Sequence, residues 1–184
     1  MLNRLWRRSF GGGSAAGPAK RMEDFLMPTP QWGCESIEIA APPALVYDLL
    51  ADITRMGEWS PECYRCVWLD GATAAEVGTR FRGYNRIGPY RWERTALITA
   101  ADRGREFSFT TIDNRTGREQ TEWHYVFEPL SSGTRVTESF QFLWCPALDR
   151  LVEALVPRGR QVNRGIKETL RRLKQTAEST PRTH

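Results

Sequence analysis

The segment IEIAAPPALVYDLLAD, residues 37–52, decides the fold that we expect for this chain. Its first residues continue an alternation of polar and apolar side chains that begins at Glu35, and this alternation predicts a strand over residues 35–40. Pro42 and Pro43 end that strand because proline cannot donate to a sheet, whereas proline suits the first turn of a helix. Apolar residues then recur at helical spacing through Asp52, and we expect a second short helical turn near residues 53–57.

Beyond this opening, the apolar pattern changes to a period of two and persists from residue 62 to residue 144. Turn signals such as Asp70–Gly71 and Gly88–Pro89 interrupt the pattern and separate six predicted strands. We expect these strands near residues 62–69, 79–87, 91–100, 105–112, 120–128 and 134–143. Because the connections are short, consecutive strands should be antiparallel neighbours, which gives a sheet of seven strands in all.

The last part of the chain has helical periodicity, with apolar residues recurring in steps of three or four from Leu148 to Ala177. Pro157 and Gly159 predict a break, so we expect the longer continuous helix over about residues 160–178. The opposite face of this helix is rich in Arg and Lys. We expect that face to be solvated, and docking to an acidic partner or a membrane is the alternative.

Several segments, taken in order, resemble the START-like helix-grip superfamily (SRPBCC) and, within it, the polyketide cyclase/dehydrase branch. After residues 37–52 come Trp59–Ser60–Pro61, then FEPLSSGTRVT at 127–137, and finally GIKETLRRLK at 165–174. The resemblance covers residues 35–178. It implies an α+β helix-grip fold, in which a curved seven-stranded antiparallel sheet wraps around a long C-terminal helix, with two short helices after strand 1 and a cavity inside. The likeness is specific for the fold and not for the function, since this branch includes binders, lipid carriers and enzymes.

Charge and hydropathy restrict the classes of partner. Of the net charge of +4, residues 1–22 carry +5, residues 23–150 carry −6 and residues 151–184 carry +5. The acidic body would repel phosphate, which argues against specific nucleic-acid binding.

No stretch approaches the roughly 18–20 consecutive apolar residues of a membrane span, and the basic start lacks the apolar run of a secretory signal. We therefore expect a cytoplasmic protein, and weak contact with a membrane surface is the alternative.

The four cysteines are expected to be reduced thiols without metal. Cys63 and Cys66 form a C-x-x-C pair, but zinc needs a second pair of ligands at suitable spacing, and the chain lacks one. Positions i and i+3 of a strand also point to opposite faces, so the two thiols should diverge. We expect no metal and no cofactor.

Strand alternation also selects the side chains that face the predicted cavity. One face of the strand at 120–128 carries Trp123, Tyr125 and Phe127 and should point inward, which leaves His124 pointing out. Applying the same rule to the other strands, and adding apolar positions of the helices, gives the expected ligand-binding residues: Trp59, Phe81, Asn85, Trp92, Arg94, Phe107, Phe109, Trp123, Tyr125, Glu138, Phe140, Leu155 and Ile166.

Arg94 and Glu138 stand out in that set because each is an ionisable residue on an otherwise apolar strand face. A buried charge costs several kcal/mol unless it is paired or hydrogen-bonded. The two side chains should therefore pair with each other, reach a wet cavity, or escape at the edge of the sheet. A plain ion pair without a ligand is as well supported by the sequence as a binding site.

Three functions are consistent with these patterns. The first is binding or carriage of an apolar or aromatic small molecule, lipid or polyketide-like, which needs only a closed cavity with a few polar anchors. The second is a polyketide cyclase or dehydratase that uses a buried acid, for which Glu138 is the one inward candidate, so catalytic residues stay unassigned. The third is a protein-interaction module without a ligand. The sequence leaves the oligomeric state open.

Residues 1–30 should be dispensable for folding. They are rich in Gly, Ala and Arg and contain little that could be buried, so we predict a flexible basic tail, and we expect residues 179–184 to be a disordered C-terminus. Deleting residues 1–30 should leave the melting temperature almost unchanged in a thermal unfolding experiment. A large loss would mean that Trp6, Phe10 or Phe25 packs on the domain.

Overall fold

The computed structural model describes residues 32–143 and 158–180, with side chains in the second range from residue 161. The elements, in chain order, are β1 (Trp32–Ile39), α1 (Pro43–Ala51), a 3-10 helix (Ile53–Glu58), β2 (Cys63–Trp68), β3 (Arg80–Ile87), β4 (Tyr90–Asp102), β5 (Glu106–Ile112), β6 (Glu119–Leu130), β7 (Gly133–Phe142) and α2 (Arg158–Ser179). The α+β class, the seven strands, the two short helices after β1 and the C-terminal helix are all confirmed.

The seven strands form one curved antiparallel sheet in the order β1-β7-β6-β5-β4-β3-β2. Strands β2 to β7 therefore follow one another as hairpins, and β1 pairs with β7 at the far end. Strands β4 and β6 are longer than expected because pairing continues to the turns, as where Ile87 lies opposite Tyr90 across Gly88 and Pro89. Helix α2 already includes Gly159, while Pro157 and the apolar residues before it, Leu155 among them, lie outside the described residues.

Helix α2 is held most closely against β1. Gly33 permits this approach, since a Cβ at that position would collide with the side chains of Asn163 and Phe140. Further along, Lys174 donates a hydrogen bond to the Glu38 carbonyl at 2.7 Å, and Glu178 accepts one from the Ala40 N–H at 2.9 Å. These contacts fix the helix along one side of the curved sheet.

Helix α1 completes the core beside α2. The ring of Tyr47 packs edge-on against Phe107 at 6.1 Å and Phe127 at 5.7 Å between centroids. Edge-to-face aromatic pairs of this kind add to the gain from burying the rings. Within residues 32–143 and 158–180, neither helix has the length and apolar character of a bilayer-spanning segment.

Gly133 lies where the start of β7 passes close to the end of β1. A Cβ there would collide with the Ile39 carbonyl oxygen and stand 2.9 Å from the Ala40 Cα, and neither backbone atom can turn away. Gly133→Ala should therefore lower the free energy of unfolding by about 1–3 kcal/mol or more, measured by urea denaturation. Gly165→Ala is the control, and we expect it to change the free energy of unfolding in the opposite direction. Its Cβ would make an ordinary 3.5 Å contact with Pro61, and alanine should stabilise the helix by about 0.5–1 kcal/mol. A loss as large in the control would contradict the role of close approach.

Candidate ligand-binding site

An aromatic row crosses the inner face of the sheet. Phe109, Trp123 and Phe140 lie directly opposite one another on β5, β6 and β7. Their ring centroids are 6.3 Å apart for Phe109 and Trp123 and 5.6 Å apart for Trp123 and Phe140. Phe81 extends the row at 5.2 Å from Phe109. These four predicted residues therefore form one continuous apolar wall.

A second row beside the first contains the only acid of the buried core in the part of the chain that the structure describes. Phe107 lies opposite Tyr125, and Tyr125 lies opposite Glu138. The Tyr125 hydroxyl donates a hydrogen bond to Glu138 Oε1 at 2.8 Å. Glu138 is 2% exposed, and no described residue hydrogen-bonds to its other oxygen, Oε2. The inner face thus presents one unsatisfied polar atom among aromatic rings.

Burial determines the protonation state of this pair. Loss of solvation raises the pKa of Glu138 to about 8, although the hydrogen bond from Tyr125 acts in the opposite direction. Burial, followed by the nearby Glu138 charge, raises the pKa of Tyr125 well above its usual value. Both groups are therefore neutral at pH 7. Because Oε1 already accepts from Tyr125, a proton on Oε2 makes that atom available as a hydrogen-bond donor.

Arg94 does not meet Glu138. Strands β5 and β6 separate β4 from β7, and the Arg94 guanidinium is half-buried and donates to the Glu93 carbonyl at 3.0 Å. The ion pair that the sequence left open is therefore not formed. The physical reason is that Arg94 lies near the Tyr90 end of β4, where its long side chain reaches partial solvent, while Glu138 is in the middle of β7.

The other predicted residues divide between the core and its margin. Trp59, Phe107 and Ile166 are fully buried. Asn85 is half-buried and donates to the Gly83 carbonyl at 3.3 Å, and Trp92 stacks on the exposed Tyr90 at 5.4 Å, away from the aromatic row. His124 lies on the outer face of β6, with Nε2 at 3.0 Å from Glu106 Oε1. Leu155 lies outside the described residues.

The expectation that Cys63 and Cys66 diverge is wrong. Their Sγ atoms are 3.4 Å apart, and both residues are buried. A β-bulge between Cys63 and Arg65 adds one residue to β2 and turns both thiols to the same face. The hydrogen bond between the thiols lowers the pKa of Cys63 and raises that of Cys66. Sequence reasoning missed Met56, whose Sδ is 3.8 Å from Cys66 Sγ.

A separate open groove lies between α2 and the β3–β4 turn. It has a volume of about 570 Å³ and is lined by Pro61, Glu62, Arg86, Ile87, Gly88, Gln161, Arg164, Gly165 and Glu168. Both signs of charge line it, together with the apolar side chains of Pro61 and Ile87. The described residues contain no group of three or more His, Cys, Asp or Glu side chains placed to hold a metal ion.

The curved sheet, the gripping helix and the aromatic inner face define a helix-grip domain. A family model described as polyketide cyclase/dehydrase and lipid transport matches residues 34–178. The chain belongs to this family, and the resemblance inferred from its sequence is confirmed. Among curated proteins, no relative matches.

Solved structures agree with this assignment. The chain is similar to the Polyketide_cyc-like protein Cgl2372 from Corynebacterium glutamicum, at 35% identity and a TM-score of 0.57, over 83% of this chain and 94% of that one. Protein CV1439 from Chromobacterium violaceum matches at 17% identity and 0.62, over 83% and 100%. The di-domain ARO/CYC StfQ from the steffimycin biosynthetic pathway matches at 16% identity and 0.65, over 80% and 50%. The last two likenesses concern the fold alone.

Glu138 should make stability depend on pH in a recognisable way. Its folded pKa of about 8 lies above the ordinary value of 4.5, so between these values the folded protein keeps a proton that the unfolded chain has lost. This contribution is complete below about pH 4.5 and is lost as pH rises towards 8. The free energy of unfolding of the wild type, minus that of Glu138→Gln, should fall on the order of 4 kcal/mol from pH 4.5 to 8.5.

Urea denaturation at a series of pH values measures this difference, in which the other titrating groups cancel. Glu128→Gln is the control, because Glu128 is an exposed residue of β6, and the same subtraction should give a nearly flat line. A flat line for Glu138→Gln as well would show that Glu138 is solvated.

Proposed function

We propose that this protein binds or carries an apolar or aromatic small molecule, lipid or polyketide-like, against the aromatic inner face of the sheet, and that it does so in the cytoplasm. The observation that carries the proposal is the buried Oε2 atom of Glu138, which has no hydrogen-bond partner among the residues that the structure describes. A buried polar group without a hydrogen bond costs about 1–3 kcal/mol. A ligand that accepts a hydrogen bond from this atom would remove that cost and orient itself at the same time.

The protonation state of Glu138 restricts the ligand. A neutral acid donates a hydrogen bond, so the ligand should present an acceptor such as a ketone, quinone or ester oxygen. A carboxylate ligand is disfavoured, since Arg94 does not reach this pair and the described core offers no cation to pair with it. The proposed ligand is therefore an uncharged, largely aromatic or aliphatic molecule with at least one carbonyl-type oxygen, bound by Glu138 with Tyr125 behind it.

A cyclase or dehydratase activity is the second candidate. The pKa of about 8 leaves Glu138 protonated at neutral pH, which is the state that a general acid needs. Such an enzyme would transfer the Oε2 proton to a carbonyl oxygen of the bound chain, and Tyr125 would stabilise the resulting carboxylate through its hydrogen bond. Binding comes first in both cases, so the two candidates share a site and differ in whether the ligand changes.

Mass spectrometry of the organic extract of purified protein should find a discrete apolar compound. Binding can be measured independently with prodan, a neutral aromatic ketone whose fluorescence reports polarity and hydrogen bonding. Prodan should bind to the wild type and to Glu138→Gln, whose amide still donates. Glu138→Met has similar volume and no donor, so its affinity should be about 2–12-fold lower, which is the loss of one neutral hydrogen bond.

The pH dependence of prodan binding distinguishes a hydrogen bond from Glu138 from apolar contact alone. Prodan affinity of the wild type should fall as pH rises above about 8, where Glu138 loses its donor proton, while that of Glu138→Gln should stay constant. Glu128→Gln should behave as the wild type. Turnover of the extracted compound would favour the enzyme. No extracted compound and no prodan binding would contradict both candidates and favour an interaction module.

A further inference from the structure

Three sulfur atoms meet where the 3-10 helix packs on β2. Cys63 Sγ is 3.4 Å from Cys66 Sγ, and Cys66 Sγ is 3.8 Å from Met56 Sδ. The two cysteines are 7% and 4% exposed, so water has little access to the thiols. These atoms, named here the sulfur cluster, are distinct from the Tyr125–Glu138 pair and have no role in the proposed ligand binding.

The backbones of β2 and β3 both bring the two thiols together. Because of the bulge, Cys63 lies opposite Asn85 and Cys66 lies opposite Gly83, two positions apart on β3. Gly83 leaves room over the thiols, since a Cβ there would lie 3.4 Å from Cys63 Sγ and 3.6 Å from Cys66 Sγ. The glycine thus keeps one side of the sulfur cluster open.

The spacing of the two cysteines places both sulfurs within reach of one ion. Two positions along a strand correspond to about 6.6 Å between Cα atoms. Disulfides have Cα separations of about 5.5–6 Å in most cases and rarely exceed about 6.8 Å. This spacing lies within the disulfide range, but the two Sγ atoms are 3.4 Å apart, well beyond an S–S bond of about 2.05 Å. An ion placed between two sulfurs bridges a longer separation than that bond.

The donor set selects the ion. Thiolate and thioether sulfurs are soft ligands that favour Cu(I). Zinc prefers four ligands in a tetrahedron, and the described residues bring no third His, Cys, Asp or Glu to this place. A single thiolate neutralises Cu(I), so a site with one thiolate, one thiol and the Met56 thioether carries no net charge into the apolar core.

We propose that Cys63, Cys66 and Met56 form a binding site for one Cu(I) ion. The thiols that strand alternation had excluded as ligands converge because of the bulge, and the 3-10 helix supplies the third sulfur. Binding releases one thiol proton to solvent and changes the oxidation state of no atom. The site differs from a zinc centre in its number of ligands and in the softness of its donors.

The test uses the full chain with Cys34→Ser and Cys145→Ser as the parent, which retains only the two cysteines of the sulfur cluster. Cu(I) is supplied without oxygen in competition with the chelator bathocuproine disulfonate. We expect one Cu(I) per chain. Cys66→Ser should lower the affinity at least about 100-fold and Met56→Leu about 10-fold, because loss of even an outer-shell partner of a ligand costs metal sites about 10–100-fold.

Two further measurements keep the proposal falsifiable if Cys66→Ser does not fold. Cu(I) should raise the melting temperature of the parent, because it binds the folded state, and should raise that of the volume-matched Met56→Leu less. Zn(II) should not displace Cu(I). The proposal is overturned if Cu(I) does not bind at one per chain, if Met56→Leu binds it as tightly as the parent, or if zinc displaces it. A mass lower by two hydrogens after mild oxidation by a small-molecule disulfide would overturn the argument for a bridging ion.

Discussion

The hydrogen bond from Tyr125 to Glu138 is what allows a carboxyl group to lie on an aromatic strand face. One neutral hydrogen bond contributes about 0.5–1.5 kcal/mol, which is less than the several kcal/mol needed to bury an isolated charge. The folded protein therefore tolerates the pair because Glu138 keeps its proton, and burial raises the pKa of Glu138 to about 8. In the proposed site, a protonated acid beside an apolar wall would accept contact with uncharged hydrogen-bond acceptors and disfavour anions.

Strand register decides where the polar and sulfur groups of the interior fall. The Leu130–Gly133 pair closes β6 and β7 with a two-residue turn, and counting back from it places Tyr125 opposite Glu138. In β2 a single extra residue has the reverse effect, since it breaks the alternation and brings Cys63 to the face of Cys66. Regular pairing thus brings Tyr125 and Glu138 together, and an irregularity brings the two thiols together.

This difference explains how far the sequence could be used. A period of two, separated by turn signals, was enough to predict all seven strands, and it placed Phe109, Trp123, Tyr125 and Glu138 on the inner face. The hydrogen bond to Tyr125 was within reach of the same counting, because the short turn at 131–132 implies the register. The bulge was not, since no residue type in CYRC requires it. Alternation likewise could not predict the exposure of Arg94. It assigns a residue to one face of the sheet but does not tell how deeply that part of the strand is buried.

The two sites share one electrostatic environment. A negative charge on Cys63 contributes to the raised pKa of Tyr125, so the sulfur cluster and the Tyr125–Glu138 pair influence each other through the same low-dielectric core. Neutrality is the condition that each must meet. Glu138 meets it by keeping a proton, and Cys63 meets it by keeping its thiol proton or, in the proposed site, by binding a monovalent cation as the thiolate. A cation at the sulfur cluster would cancel the thiolate charge that Tyr125 experiences. The core thus tolerates polar chemistry at two points because neither leaves an uncompensated charge among the aromatic rings.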